Sequence, residues 1–135
     1  MSVAMFVNKL AVEVELLANR SFYQPASYNP PIQEGIALSF APKSFAVQPL
    51  KAGHIFAGFS EIRVGCNQYV AAKGKARLSI PGATAADVKK AVYATGATEF
   101  TLSPPSEGHP ASHVGELLTL ESDGTCVVWF DASLN

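Results

Sequence analysis

From Gly74 to Asp131 apolar and polar positions alternate in one segment after another. In Lys75-Ala76-Arg77-Leu78-Ser79-Ile80, a strand would place Ala76, Leu78 and Ile80 on one face and Lys75, Arg77 and Ser79 on the other. Pro81-Gly82 ends that strand, because proline cannot donate to a ladder and glycine permits the turn. Thr84-Ala85-Ala86-Asp87 has the hydroxyl-x-x-acid spacing of a helix start. The Thr84 hydroxyl can accept from the Asp87 amide, and the Asp87 carboxylate suits the positive helix N-terminus. One or two helical turns are predicted before the β-formers Val92 and Tyr93. Glu99 to Ser103 alternates again, with Phe100 and Leu102 inward. Pro104 to Pro110 is a surface loop. Val114 to Glu121 and Thr125 to Phe130 form a hairpin about Asp123-Gly124, a pair that tolerates the positive φ of a tight turn. Cys126 to Phe130 is apolar at every position, so both faces of that strand need cover, from a core or from another subunit.

The preceding stretch has the same punctuation. Ile36, Leu38 and Phe40 share a face, and Pro42 stops the strand. Phe45-Ala46-Val47, Ile55 to Phe59, Ile62 to Cys66 and Tyr69 to Ala71 read as further strands, with a turn at Lys51-Ala52-Gly53. Gly58 and Gly65 within them predict bulges or tight bends. Short strands at regular spacing predict a mainly β fold, a small β-barrel or sandwich with one short helix. Residues 1–34 read as an N-terminal segment and 35–135 as the β-rich domain. Val3, Phe6, Val7, Leu10, Val14 and Leu17 make a helical stripe, although Val12 to Leu16 also alternates like a strand; the longer match favours helix. Phe22 to Pro31 holds three aromatics and three prolines, an extended stiff arm. It lies over its own domain or over a partner, with Phe22, Tyr23, Tyr28, Pro30 and Pro31 as candidate contacts.

Composition narrows the function classes. A chain of 135 residues with 48% hydrophobic residues can bury a working core as one domain. Its 16% charged residues fall below the ~25% of an ordinary domain, which points to oligomerisation. A net charge of −1 supplies no basic excess for nucleic acid. Lys9, Glu13 and Glu15 interrupt any secretory apolar stretch and no run has membrane length, so synthesis in a cytosol and no membrane partner are expected. Cys66 and Cys126 sit in strand-like apolar context and read as small buried hydrophobes.

Candidate chemistry is sparse. His109 and His113 are four apart, but Pro110 places them in a loop without a third ligand, so no metal is expected. His54 stands alone, the acidic residues are scattered, and no glycine-rich run precedes a Lys-Ser/Thr pair. No catalytic residue and no cofactor is expected. A small enzyme with a non-obvious site would show itself by a concave pocket holding converging titratable groups.

Ala83-Thr84-Ala85-Ala86-Asp87-Val88-Lys89-Lys90-Ala91-Val92-Tyr93-Ala94-Thr95, then Phe100-Thr101-Leu102-Ser103-Pro104, resembles the capsid decoration (cement, head-stabilising) proteins of tailed bacteriophages. The likeness covers about the last half of the chain: a strand, the Ala-Asp-Val turn, Val-Tyr-Ala and Phe-Thr-Leu strands, and the hairpin from His113 to Phe130. Members often carry Gly and Pro where Lys89 and Ala91 stand, which predicts a longer helical turn here. The resemblance implies a structural virion protein, made in the host bacterial cytoplasm. It implies a homotrimer on the outer capsid surface that contacts the major capsid protein and stabilises the expanded head against DNA pressure. Val127, Trp129 and Phe130 are then candidates for core or subunit interface, and a buried Trp129 ring would cost about 3–5 kcal/mol to truncate. Deleting residues through Pro31 is expected to leave the fold and weaken shell binding. A carbohydrate-binding β module on a virion or cell surface is the alternative, with Tyr23, Tyr28 and Tyr69 available to stack on sugars.

Overall fold

A computed structural model of the chain describes residues 5–8, 21–23, 35–40, 47–64 and 67–132; for 5–8, 21–23, 62–64 and 67–69 the description is of the backbone. The strands are β1 (Met5–Asn8), β2 (Ser21–Tyr23), β3 (Ala37–Phe40), β4 (Val47–Pro49), β5 (Phe56–Val64), β6 (Asn67–Ala71), β7 (Lys73–Leu78), β8 (Ala91–Gly96), β9 (Glu99–Thr101), β10 (Ser112–Leu120) and β11 (Cys126–Asp131). They make two antiparallel sheets, one in the order β1-β7-β11-β10-β8-β9 and the other β2-β6-β5-β3-β4. Neither sheet closes on itself, so of the two predicted architectures the sandwich is the one formed. The short helix is a single 3-10 turn, Ala85–Asp87.

Alternation explains the first layer. Ala76, Leu78 and Ile80 are buried, and Ser79 is exposed, as the pattern requires. Val92, Ala94, Phe100, Val114, Leu117, Cys126, Val128 and Phe130 complete the inner face of the six-stranded sheet. From the five-stranded sheet Ala37, Phe56, Phe59 and Ala71 meet them. Phe59 packs edge-on to Phe130 with ring centroids 4.8 Å apart, and edge-on to Phe56 at 5.4 Å. Phe100 lies 6.0 Å from Phe59. These separations fall in the range favoured for aromatic pairs.

Among the described residues the five-stranded sheet also buries apolar side chains on its other face. Ile36, Leu38, Val47, Ala57 and Val70 form a second cluster, with Phe40 and Ala97 packed against it. Ile55 is the one exposed large hydrophobic residue among the described residues, at 57%. Much of the apolar content that composition assigned to an oligomer surface therefore sits inside, on two faces of one sheet.

The two sheets are joined by the backbone. Ala72 alone separates β6 from β7, so the chain passes from one sheet to the other there, and the Ala132 amide donates to the Ala72 carbonyl at 2.8 Å. The Ala37 amide donates to the Ala97 carbonyl at 2.9 Å, and Lys51 bridges to Gly96. Gly58 marks the predicted bulge: it has φ +122°, and a Cβ there would collide with the Ala71 carbonyl oxygen. Gly65 and Cys66 lie outside the described residues.

The helix expected near the N-terminus is not formed at residues 5–8. Met5–Asn8 is an edge strand paired to β7, with Met5 opposite Arg77 and Phe6 opposite Ala76. The outer edge of β7 offers backbone donors and acceptors that a separate helix would leave without partners; the alternating stretch Val12 to Leu16 lies outside the described residues.

Phe59 touches three other rings at the meeting of the sheets. Phe59→Ala is expected to cost about 3–5 kcal/mol in urea or thermal unfolding. A loss below about 1 kcal/mol would mean that the sheets do not close over that ring.

Candidate functional site

The outward residues of the six-stranded sheet are partly exposed. In β11 the inward set is Cys126, Val128 and Phe130, so Val127 and Trp129 point to the opposite face and stay partly exposed. Of the three candidates on this strand, Phe130 is core, while Val127 and Trp129 belong to the outer face. The ladder sets Val127 beside Arg77 and Trp129 between Lys75 and Glu116. Lys73 Nζ lies 5.6 Å from the centre of the Trp129 ring, a cation–π distance. Arg77 Nε donates to Glu121 Oε1 at 2.6 Å. Tyr93 and His113 face each other edge-on at 5.7 Å. The result is a strip of cations and aromatic rings with carboxylates interspersed.

The segment 84–90 closes one end of this face. The Thr84 amide and hydroxyl donate to Asp87 Oδ2 at 2.8 and 3.1 Å, and Lys90 Nζ donates to Asp87 Oδ1 at 2.7 Å. The predicted Thr84–Asp87 partnership is present, with the carboxylate as acceptor in both Thr84 contacts. Lys90 and the Thr84 amide hold the Asp87 carboxyl below its ordinary value of 3.8. The longer helical turn predicted from Lys89 and Ala91 is not formed. The turn ends at Val88, and Lys89 takes φ +80°, a conformation that favours glycine. That geometry lets the Lys89 amide donate to the Leu117 carbonyl at 2.7 Å while the Leu117 amide donates to the Lys90 carbonyl at 2.9 Å. The pairing to β10 decides against a further turn of helix.

The β8–β9 end carries an open cleft of about 570 Å³. Thr95, Thr101, Ser103 and Ser106 bring hydroxyls to it, His109 an imidazole, and Pro104 and Pro110 apolar walls. His113 is on β10 against Tyr93, and His54 follows the turn after β4. No group of three or more His, Cys, Asp or Glu able to hold a metal occurs among the described residues. Cys126 is free and buried in the core, and burial raises its thiol pKa. No helix among the described residues is long and apolar enough to cross a membrane.

Phe22 and Tyr23 lie on β2, opposite Gln68 and Asn67 at the edge of the five-stranded sheet. That part of the expected arm pairs with its own domain. Deletion through Pro31 therefore removes β1 and β2 from their sheets as well as any partner contact. Tyr28, Pro30 and Pro31 lie outside the described residues. Sequence reading singled out Trp129 but missed Lys73, Lys75 and Lys89 as its companions. The alternation of Lys75 and Arg77 placed them outward, yet only the β7–β11 register sets Lys75 beside Trp129.

Compared with known protein families, with curated proteins and with solved structures, the chain has no match.

Two measurements follow from this face. Because Trp129 stays partly exposed, Trp129→Ala is expected to cost about 2–3 kcal/mol, less than for a fully buried ring, in the same unfolding assay. A loss above about 3 kcal/mol would place the ring in a packed interior. The lowered Asp87 pKa contributes stability that is present above the ordinary carboxylate pKa and lost as pH falls through the folded value. Wild type is thus expected to melt above Asp87→Asn at neutral pH, with the gap closing in acid. A gap that is constant with pH would show that the charge is not used.

Proposed function

We propose that the chain is a capsid decoration protein, a structural component of a phage virion. It binds the major capsid protein on the outer surface of the expanded head as a homotrimer and carries no catalytic site. The observation that carries this reading is the order of elements in the C-terminal half. A strand (β7), a capped Ala-Asp-Val turn, a Val-Tyr-Ala strand (β8), a Phe-Thr-Leu strand (β9) and a closing hairpin (β10–β11) follow one another, all within one sheet. These are the elements the sequence resemblance calls for, in its order.

The physics of such a role needs area and repetition. A protein that binds the expanded lattice and not the immature one stabilises the former by mass action. Linking three copies makes the second and third contacts intramolecular, which raises avidity without new contacts. Since Ile55 is the one exposed large hydrophobic residue described, the contacts would use mixed faces such as that around Trp129. Such faces suit a protein that folds alone and docks afterwards.

One observation favours a second reading, a carbohydrate-binding module. The cleft at the β8–β9 end has four hydroxyls, an imidazole and proline walls, groups suited to a polyhydroxylated ligand.

Size-exclusion chromatography with light scattering, followed by sedimentation with expanded and immature shells, separates the two. Decoration predicts about three times the 14.3 kDa chain mass and co-sedimentation with expanded shells only. A monomer at high concentration that leaves both shells bare would overturn it. Binding on a glycan array, abolished by Thr101→Val, would install the second reading.

A further inference from the structure

Lys89 is the one non-glycine residue with positive φ among the described residues. A lysine in that conformation carries steric strain that glycine would not. Its side chain does little to offset it: it is 78% exposed, and its ammonium lies 4.0 Å from Glu116 Oε1, itself 44% exposed. An exposed pair at that distance contributes little. Folding thus has no evident use for a lysine at this position, although its backbone is tied tightly to Leu117. Strained residues held in place by their surroundings concentrate where function requires a particular side chain.

The position of Lys89 indicates which function. Glu116 stands opposite Trp129 on β11, and Trp129 stands opposite Lys75 on β7, with Lys73 over its ring. From Lys89 to Lys73 the strip holds three lysines against Glu116 and the buried Asp131, on a chain whose net charge is −1. An aromatic ring flanked by ammonium groups is an anchor for a carboxylate-bearing surface.

We propose that the outer face of the six-stranded sheet, from Lys89 across Trp129 to Lys75, is the surface that meets the capsid protein, and that it meets an acidic segment there. This rests on the decoration reading and adds the docking face and its chemistry. Lys89 gives up some stability of the lone chain to place a cation at the rim of that face. The β9 edge is then left for contact with other copies.

The test compares wild type, Lys89→Gly and Lys89→Arg in two assays, thermal melting and sedimentation with expanded shells at low and high salt. Lys89→Gly is expected to melt about 2–4 °C higher, as relief of left-handed strain exceeds the added chain entropy. It is expected to bind shells roughly five- to tenfold more weakly at low salt, with the difference shrinking at high salt. Lys89→Arg is expected to keep wild-type binding. Higher melting with unchanged binding would overturn the proposal, as would lower melting, which would give the lysine a structural use. A variant that loses trimer mass but binds shells normally would assign the face to a second copy. Wild type that leaves shells bare removes the decoration reading and this face with it; wild type that binds while Lys89→Gly binds equally removes this face alone.

Discussion

The edge-on contact of Phe59 with Phe130 holds the two sheets in register over one interior. Phe59 comes from the middle of the five-stranded sheet, Phe130 from a central strand of the six-stranded one, and Phe56 and Phe100 surround them. Everything outward of this cluster follows from strand alternation. Once Phe130 points in, Trp129 must point out, and with it Val127, Lys75 and Arg77 across the ladder. Burial of the rings thus sets which side chains the outer face can offer.

That face and the second apolar cluster have opposite characters. Among its described side chains the five-stranded sheet buries apolar residues on both faces, and Ala57, Leu38, Val47 and Val70 are almost wholly removed from water. The six-stranded sheet has one apolar face and one of lysines, carboxylates and partly covered rings. The latter has partly exposed charged and aromatic side chains among the described residues. Its rim is set by a lysine in a glycine-like conformation, held there by the Lys89 amide donating to the Leu117 carbonyl and the Leu117 amide donating to the Lys90 carbonyl. Position and strain together are what the proposed docking face rests on.

The C-terminal half was legible in the sequence because its signals are local. Alternation from Lys75 to Ile80, the Thr84–Asp87 spacing and the Asp123-Gly124 turn each specify a short piece of backbone, and each piece is found at or within a few residues of its predicted place. At Met5–Asn8 the helical stripe gave way to a strand, and the decision came from an edge of β7 some seventy residues away; the rest of the stripe lies outside the described residues. The Lys89 conformation was missed for a related reason. Lys89 and Lys90 look like helix, and only their pairing to Leu117 reverses that preference. The companions of Trp129 depended on register between strands far apart in the chain, which alternation alone does not encode. His109 joined the cleft through the loop that carries it, with no spacing signal to announce it.

Electron microscopy of expanded shells incubated with the protein tests the central claim most directly. Trimeric density on the outer surface at three-fold or quasi-three-fold positions, with the six-stranded sheet turned toward the coat, is the predicted image. Bare shells under saturating protein, or isolated single copies bound by another face, would contradict it.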